Sequence, residues 1–140
     1  MKYFISILFI FFSILNAEST FTMNNIKVYY EDTMDDLSGS ISYCSDGHYL
    51  NDVRGIFMGR NFHQYQTGIW SYNTLKDQLT QTMYIAKDVN HGTIIEDYRE
   101  NPSLSTTISN DMKQRLVEGA INNTTRIIKI EFNHALRCQQ

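Results

Sequence analysis

Cysteine and histidine are the side chains here with the most direct chemical uses. The chain has two cysteines, Cys44 and Cys138, and four histidines, His48, His63, His91 and His134. Cys44 stands four residues before His48, a spacing that on one helical face gives a thiolate–imidazole pair. His48 and Asp52 repeat that spacing and would offer two metal ligands, with His63 further along the same segment. A metal centre needs convergent ligands, however, and neither His-Glu-x-x-His nor Cys-x-x-Cys occurs. No metal and no cofactor is expected. His48 and His134 with a lysine would suffice for acid–base cleavage of RNA. A net charge of −3 and a sequence pI near 5.7 oppose that use, and a nucleic-acid partner in general. There is no Gly-x-Ser-x-Gly elbow. Glu31-Asp32 and Asp35-Asp36 cluster without the spacing of a calcium loop. Following Thr33, Asp35 and Asp36 read as favourable charge at a helix N-terminus.

The start of the chain sets the compartment. Met1-Lys2-Tyr3 precedes an apolar run from Phe4 to Leu15, closed by Asn16-Ala17. That is the layout of a secretory signal peptide over 1–17, with cleavage after Ala17. The run is too short to span a bilayer, which takes about 20 apolar residues. A periplasmic or secreted product follows, with no membrane attachment after cleavage. It is a single domain over 18–140 of about 123 residues, with net charge −4. An even cysteine count in an oxidising compartment reads as one disulfide, Cys44–Cys138, rather than a reactive thiol at Cys44. Asn122-Asn123-Thr124-Thr125 holds two overlapping glycosylation sequons, at Asn122 and Asn123, relevant only in a eukaryotic secretory route.

Positioning these groups falls to a mainly α architecture, a small bundle of about five helices. Met34, Leu37, Ile41 and Cys44 make one stripe behind Thr33 as N-cap. Leu50, Val53 and Phe57 make a second, with Gly55 and Gly59 four residues apart on it. Leu75, Leu79, Met83 and Ala86 make a third. Thr93-Ile94-Ile95-Glu96 is a capping box for a short helix ending at Asn101-Pro102. Ile108, Met112, Leu116 and Ala120 form the last strong stripe. The ends are ambiguous. Ile26, Val28 and Tyr30 alternate, as do Ile128, Ile130 and Phe132, so a terminal strand pair competes with a helical last segment. The expected core is Leu37, Ile41, Val53, Phe57, Leu75, Leu79, Ile94, Ile108, Met112 and Leu116.

Two stretches carry a family resemblance. One is Asp36-Leu37 through Cys44, followed by Val53-Arg54-Gly55-Ile56-Phe57-Met58-Gly59. The other is Ile94-Ile95-Glu96-Asp97-Tyr98-Arg99-Glu100-Asn101-Pro102, then Leu116-Val117-Glu118-Gly119-Ala120-Ile121. Over residues 36–121 this order resembles the Rap/Tai-type periplasmic immunity proteins, which neutralise cell-wall amidase effectors of type VI secretion. The resemblance implies a small, exported, helical, disulfide-bonded inhibitor with a peptidoglycan amidase as protein partner. The expectation is therefore an exported non-catalytic binding protein. A periplasmic acid-stress chaperone and a small hydrolase using His48 are the alternatives, and a homodimer is compatible with either binder. The partner-facing surface is expected on the Lys87–Gly92 connection, through Asp88, Asn90 and His91, with Trp70 and Tyr72 as aromatic anchors.

Overall fold

The computed structural model describes residues 23–139, so the expected signal peptide lies outside the described residues. The architecture is mainly β, which corrects the helical expectation. Eight strands form one antiparallel sheet: β1 Ile26–Asp32, β2 Leu37–Tyr43, β3 His48–Phe57, β4 Arg60–Asn73, β5 Gln78–Asp88, β6 Thr93–Asp97, β7 Thr106–Asn110 and β8 Thr125–Phe132. The only α-helix among the described residues is α1, Met112–Glu118. The first six strands run as a meander, and β8 returns to pair with β1. The terminal strands thus pair, with Val28 opposite Ile130. β6 and β7 share one edge of β5 end to end, β7 along Gln78–Thr82 and β6 along Ile85–Asp88.

The turns explain why the chain reverses so often. Aspartate and asparagine side chains accept from backbone amides two or three residues on, closing Asx turns that compete with helix. Asp32 does so for Met34 and Asp35, Asp46 for His48, Asn73 for Leu75 and Lys76, and Asp88 for Asn90 and His91. Thr33, expected to cap a helix, lies in the first of these turns. The β3–β4 hairpin instead turns on Met58 and Gly59, with φ of 52° and 77°. Positive φ at both central residues is the type I′ requirement, so Gly59 serves a turn and not a helix crossing.

One face of the sheet is the core. Ile26, Val28, Tyr43, Tyr49 and Leu79 are buried there, joined by Met23 and by Met112 and Leu116 from α1. Trp70 and Tyr72 pack against them. Tyr43 on β2 donates to Gln81 Oε1 on β5 at 3.0 Å. In a flat sheet those strands lie about 14 Å apart, so the sheet curls over this inner face. Polar residues also occupy it. Tyr30 donates to Asn51 at 2.6 Å, Asn51 to Gln66 at 3.2 Å, and Gln66 to Gln64 at 3.4 Å. Within the expected core, Val53, Leu79, Met112 and Leu116 are buried and Leu37 and Ile41 half-buried. Phe57, Leu75, Ile94 and Ile108 are exposed, Leu75 at 97 %.

Three β-bulges add to the false helical spacing on β5, β6 and β8, whereas β2 and β3, which carry the first two stripes, pair with no register shift. Thr67 pairs with Ile85 and Gly68 with Met83, leaving Tyr84 without a partner residue. The inner-face sequence Leu79, Met83, Ala86 therefore steps by four and three, as a helix would. A second bulge, at Ile128 on β8, spaces the inward Ile127 and Ile130 by three. A third leaves Ile95 unpaired on β6, which replaces the capping-box helix at Thr93–Glu96. An extra residue flips the side-chain parity beyond it.

Candidate functional site

The outer face carries the second cluster, built on the disulfide. Cys44 and Cys138 are bonded across 94 residues, with Cα atoms 6.1 Å apart. The bond holds the C-terminal tail over β2–β4, where Leu136 and Tyr65 pack on Cys44, Leu50 and Cys138. Beside the tail lies a groove of about 400 Å³. Its lining comes from successive strands because alternation puts Tyr65 and Thr67 outward on β4, while the bulge turns Tyr84 toward it on β5. His48, Lys87 and Arg99 complete the polar wall, with Ile85 and Ile94 as apolar surface. No carboxylate is among the lining residues. Crossing from β3 to β6 at about 4.8 Å per strand, the groove runs about 14 Å, room for four extended residues.

The charges differ in freedom. Arg99 is held by Asp97 through Nε at 2.9 Å and Nη2 at 2.6 Å, which pulls the Asp97 carboxyl down to about 2. Lys87 is exposed and is the cation best placed to receive an anionic group. Behind Tyr65, His63 Nε2 lies 2.7 Å from Asp52 Oδ1, and the His63 and Tyr65 rings meet edge-on at 5.2 Å. Arg54 also reaches Asp52, at 3.4 Å.

The sequence-derived residues fall in several places. Cys44 is disulfide-bonded, so the thiolate pair with His48 does not form. His48 and Asp52 share the outer face, but four residues of strand separate them by about 13 Å, so the helical ligand pair is lost. Among the described residues no group of three or more His, Cys, Asp or Glu is placed to hold a metal ion. His63 pairs with Asp52, His91 with Asp88 and His134 is exposed. The Lys87–Gly92 connection is the β5–β6 turn. Its ends, Lys87 and Gly92, line the groove. Asp88, Asn90 and His91 build the turn itself: His91 Nδ1 lies 2.8 Å from Asp88 Oδ2, an interaction that holds the Asp88 carboxyl below its usual range. Trp70 and Tyr72 belong to the inner face. The Trp70 indole donates to the Cys44 carbonyl at 3.0 Å, and Tyr72 donates to Asp77 at 2.5 Å. Along β4, Trp70 is about 20 Å from Gln64, the residue opposite Asp88. The two aromatics and the turn therefore do not form one surface.

Tyr65, Tyr84 and Arg99 were not singled out from sequence as site residues. Their outward placement depends on register and on the bulge at Tyr84, neither of which a helical reading contains. The chain matches no family model, no curated protein and no solved structure.

Proposed function

We propose that the protein is an exported, non-catalytic binding protein that inhibits a secreted cell-wall amidase by seating a segment of it in the outer-face groove. The partner class comes from the sequence resemblance alone. The helical scaffold which that resemblance implies is not carried over. The observation that supports binding is the groove lining: two tyrosines, a half-buried histidine and the exposed Lys87, with no acidic group among them. Tyrosine supplies contact area at low entropic cost and dominates interface energetics. Lys87 favours a segment that ends in or carries a carboxylate. The disulfide fixes one wall before the partner arrives, which lowers the ordering cost of binding.

Inhibition is the test. The protein is mixed with a secreted peptidoglycan amidase from a neighbouring gene, and hydrolysis of peptidoglycan fragments is followed. Lys87→Glu is expected to weaken inhibition by about tenfold or more with unchanged thermal melting, and Tyr65→Ala to weaken it as much while also lowering the melting temperature, because its ring packs on the disulfide cluster. Absence of inhibition by the wild type removes the amidase assignment. Inhibition unchanged in both variants removes the groove as the contact surface.

A further inference from the structure

The sheet curls without closing on itself. β7 and β8 do not pair with each other, and α1 crosses the gap between them. The helix starts where the Met112 amide donates to the Asp77 carbonyl beside β5. Just past its end, the Gly119 carbonyl accepts from the Ile127 amide on β8. Between α1 and the inner face lies a cavity of about 150 Å³, with Met23, Val28, Ile41, Met112 and Leu116 as its aliphatic walls. Native interiors keep few voids larger than a water molecule, because the lining of an empty space forfeits its contacts. A cavity of this volume with aliphatic walls takes up benzene, so it fits a ligand of about six to eight heavy atoms.

One wall is polar. Gln81 on β5 stands opposite Thr107 on β7, and Ser109 stands two residues further on, opposite Leu79. All three polar residues line the cavity, and no acidic side chain does. Gln81 is fixed in place: Tyr43 donates to its Oε1 at 3.0 Å, and the Tyr49 hydroxyl hydrogen-bonds the same side chain. Thr107 Oγ1 donates to the Gln81 carbonyl at 3.3 Å, and its oxygen remains an acceptor. One amide and two hydroxyls, set in place on otherwise apolar walls, suit a ligand with a single neutral hydrogen-bonding group. Water alone would find partners only along β7. The way in lies on the same side, since Thr107 faces inward with Gln81 yet is exposed. Arg115, also in the lining, ties the two sides of the gap. Its Nε donates to the Asn110 carbonyl at the end of β7 at 2.8 Å, and its Nη1 donates to the Ile121 carbonyl ahead of β8.

We propose that this cavity binds a small, mainly apolar molecule with one neutral polar group, of the phenol or alcohol class. Its apolar part lies against Met112 and Leu116, and its polar group meets Gln81, Thr107 and Ser109. The site is on the opposite face of the sheet from the groove and does not depend on the amidase reading.

Methionine methyl groups test it by position. Met23 and Met112 line the cavity, whereas Met34 and Met58 are exposed in the β1–β2 and β3–β4 turns. In the full chain carrying methyl-labelled methionine, phenol is expected to shift the Met23 and Met112 resonances saturably and to leave Met34 and Met58 in place. Toluene is expected to move the same two methyls but to bind about tenfold more weakly, and benzoate more weakly still. Thr107→Val/Ser109→Ala is expected to bring phenol and toluene within about twofold of each other, with unchanged melting. Ser109→Leu fills the cavity from its polar wall and is expected to abolish binding of both, with melting unchanged or raised. If Ser109→Leu lowers the melting temperature, the phenol-to-toluene ratio in Thr107→Val/Ser109→Ala decides alone. The proposal is overturned by no saturable shift at Met23 and Met112, which leaves the space to water, or by equal shifts at Met34 and Met58. Phenol binding that survives Ser109→Leu in a stably folded chain also overturns it. Benzoate binding tighter than phenol assigns the polar group to Arg115 and overturns the neutral class.

Discussion

The Tyr30 hydroxyl donates to Asn51 Oδ1 at 2.6 Å, reaching from β1 to β3 over the intervening strand. The reach depends on Gly39 in β2, where a Cβ atom would lie 2.8 Å from the Tyr30 oxygen and 2.4 Å from the Asp52 carbonyl. Tyr30→Phe leaves Asn51 short of a donor in a half-buried polar row and is expected to cost about 1–3 kcal/mol. Gly39→Ala is expected to cost more, since the nearest obstacle is backbone. Urea titrations that place Gly39→Ala within half a kcal/mol of wild type would reject this packing.

Alkaline stability follows from the same tyrosines. Burial pushes Tyr30 and Tyr49 up to about 12 and raises Tyr43 as well. Their unfolded counterparts titrate near 10. Because the folded values are raised, this contribution is complete below about pH 10 and is lost as pH rises toward 12. Absorbance at 295 nm should show one set of tyrosines ionising near pH 10 and another only together with loss of circular dichroism. A single transition near pH 10 with the fold intact would contradict the burial.

Truncation separates the buried stripe from its exposed imitators. Leu79→Ala and Leu116→Ala are expected to cost about 2–5 kcal/mol each, read by equilibrium unfolding. Leu75→Ala, at a turn, should stay within about 0.5 kcal/mol. Equal effects at Leu75 and Leu79 would restore the helical stripe that contained both.

The disulfide closes a long loop, and its removal should be felt both in stability and in the groove. Cys44→Ser/Cys138→Ser is expected to lower stability by about 2–5 kcal/mol. It is also expected to weaken inhibition through the groove, whose wall contains Cys138 and Gln139. Unchanged melting on reduction would show that the tail is held by Leu136 and its neighbours alone.

The sequence carried some of this and concealed the rest. The even cysteine count pointed to the Cys44–Cys138 bond, and alternation at Ile26–Tyr30 and Ile128–Phe132 pointed to the terminal pair. Alternation was hidden elsewhere by two physical causes. Bulges at Tyr84 and Ile95 shifted parity within β5 and β6. Polar residues on the inner face, Asn51, Gln64, Gln66 and Gln81, broke the apolar pattern where hydrogen bonds across the sheet, and along β4 between Gln66 and Gln64, satisfy them. Thr33, read as a helix N-cap, and Asp35 and Asp36, read as charge at a helix N-terminus, lie in a turn that the Asp32 side chain closes by accepting from the Met34 and Asp35 amides. Lys87 was within reach of sequence reasoning through its turn. Tyr65 and Tyr84 were not, since only register brings them to one groove.

Pairing of β1 with β8 has a kinetic consequence. The contact with the greatest sequence separation in the sheet is also the one that completes it, so the chain cannot finish folding until residues near 132 are available. Topologies dominated by such non-local pairing fold slowly. A chain delivered N-terminus first through a narrow pore would hold β1 with a free edge until the final segment emerged. Protection from hydrogen exchange of the β1 amides that face β8 should therefore appear only once β8 has been released, after protection of those that face β2.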